Sequence, residues 1–191
     1  GGNHPYIDEI TQTAHNVSYQ ISLDGKITAE NTLTLVDNIQ IRVINHIMNP
    51  TEPETINEKT VLNNVLCIET VDYNIQRNNI QVTVSHEFQN EKPVMVQMYY
   101  GMQSMFEKET QTLTVNGKYA DWTLQEDVST FNKKDFPFMR CFIEKNAVAY
   151  QSSYLFDEGL GKHMDITDDD IIFIGNSNGK TYHKIIANKS Y

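Results

Sequence analysis

The sequence predicts an all-β protein, an antiparallel two-sheet β-sandwich of about a dozen strands. Three observations carry this expectation. Apolar and polar residues alternate with a two-residue period in run after run. Turn signals such as Asp24-Gly25 and Asn116-Gly117 divide the runs at short spacing. No apolar stripe of helical period extends beyond about two turns. No internal repeat of fixed period is present, which argues against propellers and solenoids. Residues 1–16 read as an irregular lead-in and residues 17–191 as a single sandwich domain, a length that can bury one full core.

Val17, Tyr19, Ile21 and Leu23 alternate with Ser18, Gln20 and Ser22 up to Asp24-Gly25, and Lys26 to Glu30 returns as the partner strand. Thr32 to Val36 and Ile39 to Ile47 read as two further strands, turned by Asp37-Asn38. Pro50, Pro53 and the polar residues around them make Met48 to Lys59 a surface loop. Val61 to Ile75 resumes the strand character. Asn79 to Phe106 then holds the clearest pair: Ile80, Val82, Val84, His86 and Phe88 share one phase, a break ends in Pro93, and Val94, Val96, Met98 and Tyr100 share a second. This pair reads as a hairpin with a longer loop.

Met102 to Glu109 suggests a short helical turn. Thr110 to Val115 and Lys118 to Trp122 form a hairpin around Asn116-Gly117, residue types that tolerate positive φ. Thr123 to Lys134 is polar and reads as a crossing between sheets. Phe138 to Ile143 turns at Glu144-Lys145-Asn146 and returns as Ala147 to Leu155. Ile171 to Ile174 and Tyr182 to Ala187 close the array around Asn176-Ser177-Asn178-Gly179.

Charge narrows the function. Fifteen Lys and Arg against 25 Asp and Glu leave a formal charge of -10, and no basic run reverses it, so the balance disfavours nucleic acid and none is expected as a partner. No apolar run approaches the roughly 18 residues of a membrane helix. The chain begins Gly-Gly without Met, as a processed or cut polypeptide would, and other domains of a longer chain are expected partners. Cys67 and Cys141 sit on apolar runs and read as two buried thiols, with one disulfide as the alternative. The sequons Asn16-Val17-Ser18 and Asn188-Lys189-Ser190 carry no weight in an Asn-rich chain.

Motif-bearing chemistry is absent. The six histidines form no His-x-His or His-x-x-x-His pair, there is no Cys-x-x-Cys, and no nucleophile elbow, phosphate loop or dinucleotide fingerprint occurs. Asp165 to Asp170 offers oxygen ligands without the spacing of a calcium loop and reads as a solvated acidic turn. No metal and no cofactor are therefore assigned. His86 lies in the apolar phase of its strand, where an unsatisfied imidazole is costly. It reads as a core histidine bonded to a neighbour; beside an acid such as Glu69 or Glu158 it would instead be placed to move protons. Asp157-Glu158 near His163 is the best loop cluster of acids.

Aromatic residues on or near strands read one by one as ordinary sheet residues and together suggest a surface for sugar. Tyr99, Tyr100, Trp122 and Tyr154 offer ring faces for C–H surfaces, while Gln103, Arg140, Glu158 and His163 supply hydrogen bonds, with Tyr100 favoured as a ligand-facing rim. The strand succession, including Asn31-Thr32-Leu33-Thr34-Leu35 and Ile41-Arg42-Val43-Ile44-Asn45, resembles the large β-sandwich domains, galactose-mutarotase-like among them, that accompany carbohydrate-active enzymes. The resemblance spans residues 17–187. In mutarotases proper it implies histidine and glutamate sites that open a sugar ring, and His4-Pro5-Tyr6 is similar to a histidine motif of that family; no catalytic residue is carried over. The expected function is an accessory or carbohydrate-binding domain of an exported protein, extracellular or periplasmic. The alternatives are a sugar-acting enzyme with a carboxylate and histidine site on a concave sheet face, and a structural or adhesive surface module.

Overall fold

The structure, a computed structural model, describes residues 7–8, 10–29, 33–105, 112–117, 121–123, 128–132, 138–145, 148–156, 170–175 and 180–191. Among these residues every regular element is a strand, every pairing is antiparallel, and there is no helix. The chain divides into two compact units, Gly1–Val94 and Met95–Tyr191.

The first unit is built on a five-stranded sheet of order β2-β1-β3-β6-β7, from β1 (Ala14–Leu23), β2 (Lys26–Thr28), β3 (Asn38–Met48), β6 (Val65–Gln76) and β7 (Asn79–Phe88). Asp24-Gly25 makes the expected tight turn between β1 and β2, with φ of 47° and 79°. The Asp24 carboxylate then accepts the Asp37 and Asn38 backbone N–H groups at 3.1 and 2.9 Å, fastening the start of β3 to this turn. Leu33 to Val36 is not a strand, contrary to its alternation. Leu33 and Leu35 are fully exposed at 101% and 99%, so the alternation there has no buried face to serve.

Two turns lacking glycine correct the sequence reading. Asn57 and Glu58, at φ of 50° and 63°, join β4 (Glu54–Ile56) to β5 (Lys59–Val61), so the proline-rich surface loop contains a small hairpin. Arg77, at φ 54°, helps close β6 onto β7, with Gln76 paired to Asn79. The tight local closure takes β7 into the first unit's sheet. The expected hairpin across Pro93 is therefore overturned: both strands exist, but β7 pairs with β6, whereas β8 (Met95–Met105) pairs with β15 (Lys180–Ser190) in the second unit.

Strand register sorts the five-stranded sheet into two unlike faces. On one lie the rungs Ala14–Ile47–Cys67–Phe88, Tyr19–Val43–Val71–Val84, Ile21–Ile41–Tyr73–Val82 and Leu23–Ile39–Ile75–Ile80. Cys67 and Val71 are buried there, and Tyr19 and Ile80 remain exposed at its margins. The other face carries Gln20–Arg42–Asp72–Thr83 and Ser22–Gln40–Asn74–Gln81. A two-residue period produces such a division, and here the second face is polar over these two rungs, whereas further along it carries Ile44 and Ile68 and ends at the buried Met48.

The second unit has two four-stranded sheets. One has the order β10-β9-β12-β13, from β9 (Thr112–Gly117), β10 (Asp121–Thr123), β12 (Phe138–Lys145) and β13 (Val148–Phe156). The other has the order β11-β14-β15-β8, with β11 (Val128–Asn132) and β14 (Asp170–Gly175). The hairpins β9–β10, β12–β13 and β14–β15 follow the sequence reading. Three details differ. Asn116 and Gly117 belong to β9 rather than to the turn, and the stretch read as a polar crossing contains β11. Met102 to Met105 continues β8 as a strand where a helical turn was expected.

Candidate functional site

One polar rung interrupts the apolar face of the five-stranded sheet. Asn16 on β1, Asn45 on β3, Glu69 on β6 and His86 on β7 are successive cross-strand partners. Their side chains link in the same order: Asn16 Nδ2 donates to Asn45 Oδ1 at 3.1 Å, Asn45 Nδ2 donates to Glu69 Oε1 at 3.0 Å, and Glu69 Oε2 lies 3.1 Å from His86 Nε2. The Glu69 and His86 side chains are 18% and 19% exposed. Hydrogen bonding to His86, aided by Asn45, holds the Glu69 carboxyl below the usual carboxylate range, against burial, which acts the other way.

A β-bulge creates this rung. The register of β1 against β3 shifts between Asn16 and Ser18, leaving Val17 as the extra residue. Without the shift, the pairing of Tyr19 with Val43 would run on to set Val17, not Asn16, opposite Asn45. An apolar valine would then stand where the amide now continues the hydrogen-bonded line.

The opposite face holds a shallow depression of about 360 Å³, lined by Gln20, Ser22, Gln40, Arg42, Asp72 and Asn74, with parts of Ile41 and Tyr73. Within its lining, Arg42 Nε and Nη2 donate to the two Asp72 carboxylate oxygens at 2.7 and 2.9 Å, a bidentate pair. Arg42 holds the Asp72 carboxyl below the usual range, and Asp72 raises the Arg42 guanidinium in turn. The pair leaves little net charge in a surface whose other polar side chains are three amides and a hydroxyl, set among apolar surface. Such groups donate and accept at once, as a neutral polyol does.

The residues singled out in the sequence are distributed as follows. His86 and Glu69 meet as one of the two acid pairings considered for that histidine. Tyr99, Tyr100 and Gln103 lie on β8, register partners of Ile186, Lys184 and Tyr182. Trp122 lies on β10 opposite Val115, and Arg140 on β12 is the direct partner of Tyr154 on β13. These six therefore belong to two different sheets of the second unit. Glu158, His163, most of the acidic run Asp165 to Asp170, and His4-Pro5-Tyr6 lie outside the described residues. Sequence reasoning passed over the Gln20, Gln40, Arg42 and Asn74 cluster. Its signal was available: a strand face with three amides and an Arg matched to an Asp.

Cys67 is a free, buried thiol, and burial pushes its pKa up to about 11. Among the described residues no group of three or more His, Cys, Asp and Glu side chains converges as a metal cluster, and no helix is long and apolar enough to cross a membrane. No family model, curated protein or solved structure matches this chain.

Proposed function

We propose that this chain is a carbohydrate-binding β-sandwich domain, accessory to a larger exported assembly, and that neutral sugars bind the polar face of the five-stranded sheet. The observation that carries this reading is the depression lined by the Arg42–Asp72 pair, with Gln20 in the same rung and Gln40 and Asn74 in the adjacent one, so that its charges are compensated. Amide side chains and a bidentate ion pair match the alternating donor and acceptor demands of sugar hydroxyls. The charge compensation favours an uncharged ligand over a phosphate or sulfate ester. The two-layer sandwich is part of the same proposal. It is supported by the one-sided patterning of the five-stranded sheet, whose apolar face needs a facing layer.

The test is a glycan array followed by titration of the glycans retained. Gln40→Ala and Arg42→Ala should each weaken binding about tenfold or more, as loss of a ligand-facing polar anchor does. No retained glycan at millimolar protein would refute the reading. Binding that survives both substitutions and disappears in Trp122→Ala or Tyr100→Ala would move the sugar to the second unit and refute the polar-face assignment.

One observation favours a second reading, a sugar-acting enzyme. His86 and Glu69 are within hydrogen-bond reach, the arrangement in which a carboxylate fixes an imidazole for proton transfer. The depression lies on the other face of the sheet, which is why binding is placed first. Turnover of a sugar substrate that His86→Ala and Glu69→Gln both abolish would reverse the order.

A further inference from the structure

The Val17 bulge has a second effect, on the polar face. It sets His15 directly opposite His46, whereas the register of Tyr19 with Val43, continued without a bulge, would set His15 opposite Ile47. Directly opposed residues on antiparallel strands have Cβ atoms about 4.5–5.5 Å apart, close enough for two imidazoles to share one ion. Two residues beyond His46, Met48 lies in the same phase of β3. The Met48 backbone N–H donates to the Thr13 carbonyl at 2.9 Å, so the β1 and β3 backbones stay joined past the histidine pair. His15 is exposed and His46 half-buried, while Met48 is buried at 6% exposure. By register, two imidazoles and a thioether thus share one face at one end of the sheet, beside the point where the pairing of β3 with β6 shifts between Ile47 and Met48.

We propose that His15, His46 and Met48 form a binding site for Cu(I). The ligand chemistry selects the ion. Imidazole alone serves zinc, nickel and copper alike, whereas a thioether is a poor ligand for zinc and a good one for soft monovalent copper. Met is also flexible enough, with three rotatable bonds, to bring its sulfur to an ion seated between the two rings. The exposed His15 gives the ion a route in from solvent, and the buried methionine gives it one partly dehydrated side. The negative charge of the chain favours cation capture over its surface.

The test is an anaerobic titration of the full chain with Cu(I) in competition with bicinchoninate, repeated with Zn(II). One equivalent of Cu(I) should be withdrawn from the chelator. His15→Ala and His46→Ala should each weaken Cu(I) about a hundredfold, and the volume-conserving Met48→Leu about tenfold, as expected for lost ligands. Zn(II) affinity should fall in the histidine variants and be unchanged in Met48→Leu. A Cys67→Ala/Cys141→Ala variant should keep wild-type Cu(I) affinity, and circular dichroism should show each variant folded. Should Met48→Leu unfold, a sulfur scatterer in the copper X-ray absorption spectrum of the cysteine-free variant supports the site, and its absence overturns it. Failure of the wild-type chain to compete, wild-type Cu(I) affinity in His46→Ala, or loss of binding in the cysteine variant overturns the proposal.

Discussion

Replacing Glu69 by alanine removes both acceptors from the middle of the polar rung. Asn45 Nδ2 loses a bond of 3.0 Å and His86 Nε2 a contact of 3.1 Å, in side chains less than one-fifth exposed on the glutamate and histidine sides. A stranded buried polar group costs about 1–3 kcal/mol, and the residual exposure places each loss in the lower half of that range. The sum is about 2–4 kcal/mol for Glu69→Ala, against about 1 kcal/mol for Glu69→Gln, which keeps an acceptor for Asn45. Combined with His86→Ala in a double-mutant cycle, the coupling should be about 1–2 kcal/mol. The assay is urea unfolding followed by NMR at the amides of β3, β6 and β7, so that the first unit is read by itself. A Glu69→Ala loss under about 0.5 kcal/mol, or no coupling to His86, would refute the reasoning, because surface pairs behave that way.

Three more predictions follow from single residues. The folded Glu69 carboxyl titrates below its unfolded value of about 4.3, so its stabilisation is present above that pH and is lost as pH falls through the folded pKa; acid unfolding of wild type should be steeper than that of Glu69→Gln below about pH 4. Equal acid limbs would contradict it. At Gly25 a Cβ would meet no atom within 4 Å, so Gly25→Ala, at φ 79°, should lose about 1–2 kcal/mol through backbone conformation alone, and an unchanged urea midpoint would exclude that origin. Buried and raised to about 11, the Cys67 thiol should resist disulfide reagents at pH 7.5 in a Cys141→Ala variant until urea unfolds the chain; rapid labelling of the native protein would contradict its burial.

Local chemistry was legible in the sequence where one residue type dictates one geometry. Asp24-Gly25 turned as its residue types require, and the alternation of Ile80 to Phe88 sorted β7 correctly between faces. The turns at Arg77 and at Asn57-Glu58 were not legible, because non-glycine residues there take positive φ within an otherwise well-paired hairpin. Leu33 and Leu35 failed in the opposite sense: alternation without a pairing partner is not a strand. The pairing of β8 with β15 joins segments about 85 residues apart, and side-chain periodicity carries no information about which edge a strand will find.

The candidate site shows the same limit. His86 stood out because a polar residue occupied an apolar phase, and Glu69 could be named as its acid. The contributions of Asn16 and Asn45 depend on a one-residue bulge at Val17 that alternation cannot reveal, since the extra residue reverses the phase of everything before it. The same reversal concealed the opposition of His15 and His46, which a search for close spacing along the chain does not detect.

Binding of neutral sugar to the polar face of the five-stranded sheet is tested most directly by amide and side-chain chemical-shift mapping with neutral hexose oligosaccharides retained on the array. Shifts should concentrate at Gln20, Gln40, Arg42 and Asn74 and spare Val71 and Val84 on the opposite face. Shifts confined to Tyr99, Tyr100, Trp122 or Tyr154, or none at saturating sugar, would contradict it.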